Sequence, residues 1–142
     1  MTKKSLSILL VEDSRNYIEK EVGAIRDLFQ KYLVEIYTAS NVRELSGKLQ
    51  EGHYDLAFVD FDCEGNSWMT DAIDSAYKIS QSQPDCLRIG FSGKMVINTL
   101  EFSNAFSSMI KEVYPIITTR EEIMDEDKRK SLKEKLANFR YL

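Results

Sequence analysis

Apolar and polar positions alternate along this chain in blocks, and the period changes from block to block. Leu6 to Val11 is an apolar run of strand length. From Arg15 to Tyr32, Ile18, Val22, Ile25, Leu28, Phe29 and Tyr32 recur at helical spacing. Val34, Ile36 and Thr38 then alternate with polar neighbours, which predicts a strand. Asn41-Val42-Arg43-Glu44 has the form of a capping box and opens a helix to about Leu49. After a turn at Gly52-His53, Leu56 to Val59 predicts a third strand. A helix follows from about Met69 to Ser80, with Trp68, Ala72, Ile73, Ala76 and Ile79 on one side. Pro84-Asp85 breaks it, and Leu87 to Phe91 predicts a fourth strand.

Beyond Ser92, Asn98-Thr99-Leu100-Glu101 has the form of another capping box, and Phe102, Phe106, Met109, Ile110 and Val113 share one helical face. Pro115 ends that helix, and Ile116-Ile117-Thr118-Thr119 is a short β-branched run. The charged tail, with Ile123, Leu132, Leu136 and Phe139 as its apolar points, predicts a final amphipathic helix broken near Asp125. Such alternation implies an α/β fold, a parallel sheet covered by helices on both faces. Right-handed crossovers then restrict the topology severely.

The chemistry sits where the apolar runs stop. Glu12-Asp13 follows the first strand, Asp60 ends the third and Ser92 ends the fourth. Parallel sheets bind ligands outside the carboxyl ends of their strands. Three carboxylates gathered there suit a hard divalent cation such as Mg²⁺, which takes oxygen ligands and keeps several waters. With the metal in place, one carboxylate can attack a phosphoryl group. Packed together without metal, the carboxylates should repel and raise at least one pKa.

Composition narrows the class. At 142 residues, 43% apolar and 30% charged, the chain reads as one globular domain spanning 1–142. The formal net charge of −4 argues against nucleic acid as the main partner. No apolar run approaches a membrane span, and the start, Met-Thr-Lys-Lys-Ser, lacks the features of a secretory leader. Cys63 and Cys86 form no metal or redox motif, which fits free thiols in a cytoplasmic protein.

Three strings together resemble the receiver domain of bacterial two-component response regulators. They are Ile8-Leu9-Leu10-Val11-Glu12-Asp13-Ser14, Tyr54-Asp55-Leu56-Ala57-Phe58-Val59-Asp60 and Ile89-Gly90-Phe91-Ser92-Gly93. The resemblance covers nearly the whole chain. It implies a flavodoxin-like, doubly wound, five-stranded parallel sheet. It also implies that Asp60 takes a phosphoryl group from a histidine kinase or phosphotransfer protein, within a phosphorelay. Asp13 would ligate Mg²⁺ directly and Glu12 directly or through water, while the backbone carbonyl of Asp62 completes the metal site. Ser92 would hydrogen-bond a phosphate oxygen, and Gly93 would leave room for phosphate and water. The expected role is that of a stand-alone phosphoacceptor signalling protein, not an enzyme, acting through contacts with a protein target.

The chain departs from the family pattern at three places. Glu64 stands where the family usually has proline, four residues after the phosphoacceptor. The lysine that ends strand five depends on register. A strand at Ser107 to Ile110 would make it Lys111, whereas a strand at Ile116 to Thr119 puts Thr119 or Arg120 there. The second register is the better strand, because the helical face from Phe102 to Val113 is strong and Ser107-Ser108 suits a buried strand poorly. Lys94 could also reach the phosphate. In neither register does an aromatic hold the family's switch position: it falls on Ser108 or on an isoleucine.

Two alternatives stay open on sequence. One is a degenerate receiver that binds partners unphosphorylated. The other is a small phosphatase of haloacid-dehalogenase type, because Phe58-Val59-Asp60-Phe61-Asp62 is similar to that family's first motif, with Ser92, Lys111 and Asp125 or Asp127 imitating the later ones. That reading gives Glu12-Asp13 no task.

Overall fold

The computed structural model describes residues 3–61, 68–92 and 110–142, with side chains in the third helix from residue 72 onward. Asp62, Cys63, Glu64, Gly93, Lys94, the capping box at Asn98 and Ser108 lie outside the described residues, as does the side chain of Trp68.

Five strands build the sheet: β1 (Ser5–Val11), β2 (Leu33–Ala39), β3 (Leu56–Asp60), β4 (Leu87–Ser92) and β5 (Ile116–Thr119). Every pair is parallel and the order is β2-β1-β3-β4-β5, the doubly wound arrangement the alternation implied. The helices are α1 (Arg15–Leu28), α2 (Val42–Glu51), α3 (Trp68–Ser82), α4 (Arg120–Met124) and α5 (Lys130–Asn138). A helical stretch at 110–113 precedes Tyr114. The strand-five register is therefore the second of the two: Ile110 is helical and Ile116–Thr119 is the strand.

The strands' side chains divide by parity. Leu9, Val11, Ala57 and Val59 face α2 and α3, packing on Leu45, Leu49, Ala72, Ala76 and Ile79. Leu6, Ile8, Leu10, Leu56 and Phe58 face the other way, onto Ile25, Leu28 and Phe29 of α1 and onto Ile123, Leu132 and Leu136. Central β1 and β3 must be apolar on both faces for this reason, and all five residues of β3 are buried. Edge strand β2 instead alternates exposed and half-buried positions. Gly90 of β4 is required by close approach: a Cβ there would lie 2.2 Å from the ring of Phe61. That ring packs edge-on against Tyr114, with centroids 5.0 Å apart.

Local signals behave as read, with small refinements. Asn41 caps α2 by accepting from Glu44 N at 2.9 Å, but the Glu44 carboxylate returns to Ser40 N, one residue before the cap. The tail breaks at Asp125, whose carboxylate accepts from Asp127 N and starts a 3₁₀ turn at Glu126–Lys128. Arg129 then ties the turn down, donating to Ile123 O at 2.8 Å and to Asp27 of α1 at 2.5 Å. Cys86 is a buried free thiol whose pKa is pushed up to about 12 by burial.

At the amino edge of the sheet, buried Gln83 and half-buried Asp55 close their hydrogen bonds on backbone. Gln83 accepts from Tyr54 N at 2.8 Å and donates to Leu49 O at 3.1 Å and Gly52 O at 2.6 Å. Asp55 accepts from Ser7 N at 2.9 Å.

Candidate active site at the carboxyl edge of the sheet

Register brings the candidate residues together. Val11 pairs with Val59, so Glu12 arrives beside Asp60; Asp60 pairs with Phe91, and Phe91 with Thr118. Ser92 pairs with Thr119, and Arg120 follows as the first residue of α4. Four strand ends thus deliver Glu12, Asp13, Asp60, Ser92 and Arg120 to one edge. Glu12 N donates to Ala39 O at 2.9 Å, which keeps the turn after β1 in line with the sheet. Thr119 caps α4 by accepting from Glu122 N, and this turns the chain so that Arg120 points back over β3.

Glu12, Asp60 and Ser92 are buried, while Asp13 is exposed. Glu12, Asp13 and Asp60 each offer a carboxylate oxygen, and these oxygens lie within 4.8 Å of one another. Over them lies Arg120. Its Nη2 donates to Glu12 Oε1 at 3.0 Å and to Asp60 Oδ2 at 3.1 Å. Its Nε donates to Glu21 Oε2 at 3.0 Å. The guanidinium also stacks 4.2 Å from the ring centroid of Tyr17 and 5.7 Å from that of Phe91. Such contacts suit a planar, delocalised cation.

Among the described residues the site holds more carboxylates than cations. Burial raises the pKa of Glu12, and the neighbouring Glu21 adds to it, against the opposing effects of Asp60 and Arg120. Burial raises Glu21 as well. The expected rise is present, but its main cause is lost hydration. Among the described residues, Glu12 Oε2 and Glu21 Oε1 are buried without a hydrogen-bond partner. An unsatisfied buried oxygen on a carboxylate cluster is the donor chemistry a hard cation needs. The residues present therefore fit Mg²⁺.

Of the candidate cations, Arg120 reaches the site and Lys111 does not. Lys111 lies on the helical stretch before β5, in a groove with Lys135, Asn138 and Phe139 at the strand's opposite end. This corrects the Lys111 alternative: once the strand is Ile116–Thr119, residue 111 precedes it. Three residues before Arg120 is Ile117, so the switch position carries an aliphatic side chain.

Glu21 escaped the sequence reading. It stands three residues after Ile18 and four before Ile25, on the core-facing side of α1. A carboxylate on that apolar stripe was the available signal.

No family model and no curated protein matches the chain. Solved structures do. The response regulator TrrA of Thermotoga maritima, in complex with Mg²⁺-BeF, is 23% identical, with a TM-score of 0.63 over 96% of this chain and 99% of that one. The signal receiver domain of an HD domain-containing protein from Pseudomonas fluorescens Pf-5 is 14% identical, with a TM-score of 0.67 over 97% and 98%. A CheY-like receiver domain protein from Methanospirillum hungatei JF-1 is 17% identical, with a TM-score of 0.57 over 97% and 99%. The strand order, the place of Asp60 at the end of the central strand and these full-length superpositions converge: the chain has the fold of a response-regulator receiver domain.

Proposed function

We propose that this chain is a phosphoacceptor receiver of two-component signalling, in which Asp60 takes a phosphoryl group from a histidine kinase or phosphotransfer protein. The observation that carries the reading is the arrangement of carboxylates at the carboxyl edge. Asp60 ends the central strand with Glu12 and Asp13 within 4.8 Å and a guanidinium 3.1 Å from its oxygen. An Asp60 carboxylate oxygen attacks phosphorus, the bond from phosphorus to the donor's nitrogen breaks, and the imidazole leaves. Such transfer needs in-line positioning and charge neutralisation more than covalent chemistry by the protein.

The residues that would hold Mg²⁺ are Glu12, Asp13 and Asp60, with the Asp62 carbonyl as the position implied by the family. The ion would neutralise charge on the transferring oxygens. Arg120 takes the part given to lysine at the end of strand five, and Ser92, at the end of β4, stands in register to meet a phosphate oxygen. Gly93 follows it and completes the family pattern in sequence. Output goes through contacts with a downstream protein; the acidic net charge of −4 gives nucleic acid little to bind. Among the described residues no helix is long and apolar enough to cross a membrane. The phosphatase alternative gains nothing: Lys111 is remote from Asp60, and Glu12 and Asp13 stand beside it.

Intact-protein mass spectrometry after acetyl phosphate and Mg²⁺ should show one added phosphate, absent in Asp60→Asn. Absence of both the adduct and any beryllofluoride-dependent spectral change at saturating Mg²⁺ would sink the reading. An unphosphorylated binding module would replace it. One feature favours that second reading: Arg120 bonds both Asp60 and Glu12, so a cation of the chain's own already engages the carboxylates.

A further inference from the structure

Arg120 does more than face the phosphoacceptor. It is shared between two elements. Its Nη2 serves Glu12 and Asp60 at the sheet edge, while its Nε serves Glu21 of α1 and its flat face lies on Tyr17, one turn earlier in the same helix. A guanidinium bonded through Nη2 alone could swing about that nitrogen. A second bond at Nε fixes its plane, as arginine's rigid fork allows. Glu21 is buried and faces the site from a helix that supplies no other carboxylate to Arg120 among the described residues. Nη1 makes no hydrogen bond among the described residues, so the fork retains donors for an incoming phosphoryl oxygen.

We propose that Glu21 is a positioning residue for Arg120, and that through Glu21 and Tyr17 helix α1 receives the change of charge when Asp60 is modified. This rests on the phosphoacceptor reading above. A phosphoryl group brings about −1.5 to −2 charges. It draws the guanidinium toward itself, and the Nε bond and the ring stack must follow or give. Tyr17 is 41% exposed, so its displacement is visible at the surface, where a partner can read it. Ile117 at the usual switch position is aliphatic, and among the described residues α1 is the neighbouring helix bonded to the cation.

The test follows the Arg120 Nε–H and Tyr17 ring resonances by NMR, with and without Mg²⁺ and beryllofluoride. In the unaltered chain both should shift. In Glu21→Leu the amides around Asp60 should still respond. The Arg120 Nε–H should exchange with water about tenfold faster, as loss of a charged hydrogen bond predicts, and the Tyr17 shift should fall by about half or more. Glu21→Gln, whose amide oxygen still accepts from Nε, should restore both signals. If Glu21→Leu behaves like the unaltered chain, or Glu21→Gln fails as Glu21→Leu does, the role of Glu21 is overturned while the phosphoacceptor reading stands. An unaltered chain whose Asp60 region ignores beryllofluoride overturns that reading, and the role with it. Should Glu21→Leu not fold, Tyr17→Leu at the exposed position decides. It should keep the Arg120 signal and weaken the α1 response, and an unchanged α1 response overturns the proposal.

Discussion

The two ends of one sheet treat buried polar groups in opposite ways. At the amino edge, buried Gln83 makes three hydrogen bonds to backbone and half-buried Asp55 accepts from Ser7 N. At the carboxyl edge, Glu12, Glu21 and Asp60 share one arginine, and Glu12 Oε2 and Glu21 Oε1 have no hydrogen-bond partner among the described residues. The first arrangement fastens loops. The second holds charge that the described residues do not fully balance, which is costly unless something else uses it. Burial of a carboxyl or amide group is therefore no sign of function by itself; the sign is whether its bonds are closed.

Removing the shared cation should break that contrast most severely. Arg120→Ala removes the salt bridges to three buried carboxylates and should cost about 3–5 kcal/mol of stability. Because the loss is one of charge, Mg²⁺ should raise the thermal midpoint of this variant more than that of the unaltered protein. Equal shifts from Mg²⁺ would show that the cluster does not take the ion.

At the other edge, Gln83→Leu strands Tyr54 N and the Leu49 and Gly52 carbonyls. Stability should fall by about 2–3 kcal/mol in urea unfolding. On the phosphoacceptor reading proposed above, Asp60 of the folded variant should be modified at close to the rate of the unaltered chain. A comparable loss of phosphate acceptance would mean that the two ends are not independent.

The smallest effect is on pH. Glu12 and Glu21 have raised pKa values in the fold, so the folded protein holds their protons more tightly than the unfolded chain does. Their contribution to stability is full below the ordinary value of 4.5 and is lost as pH rises through the raised values, opposite in sign to ordinary paired carboxylates. In metal-free buffer, Glu21→Gln should therefore gain stability relative to the unaltered chain as pH rises above 4.5. A difference that does not change with pH would place the Glu21 proton elsewhere.

The sheet was legible because its signals are local. Runs such as Leu6 to Val11 and Leu56 to Val59 must be apolar on both faces, and the capping residue Asn41 marks its helix start in four letters. Asp60 was legible because a carboxylate at the end of such a run is conspicuous. Arg120 could be narrowed only to a choice of registers, since its place depends on whether residues 102–113 are helix. Glu21 was hidden because helix periodicity counts apolar residues, and a carboxylate on the apolar stripe registers as an interruption. Its meaning appears only with Arg120, 99 positions away.

That distance has a consequence for how the molecule comes into being. The bonds from Arg120 to Asp60, Glu21 and Glu12 close separations of 60, 99 and 108 residues. A chain emerging from a ribosome forms its early elements first, and long-range contacts are slow to close. Glu12, Glu21 and Asp60 are all made well before their arginine exists. Until then the cation that, among the described residues, bridges the cluster is missing, and hydration by solvent must serve in its place. The arrival of residue 120, directly after β5, thus couples completion of the sheet to closure of these bonds at the site.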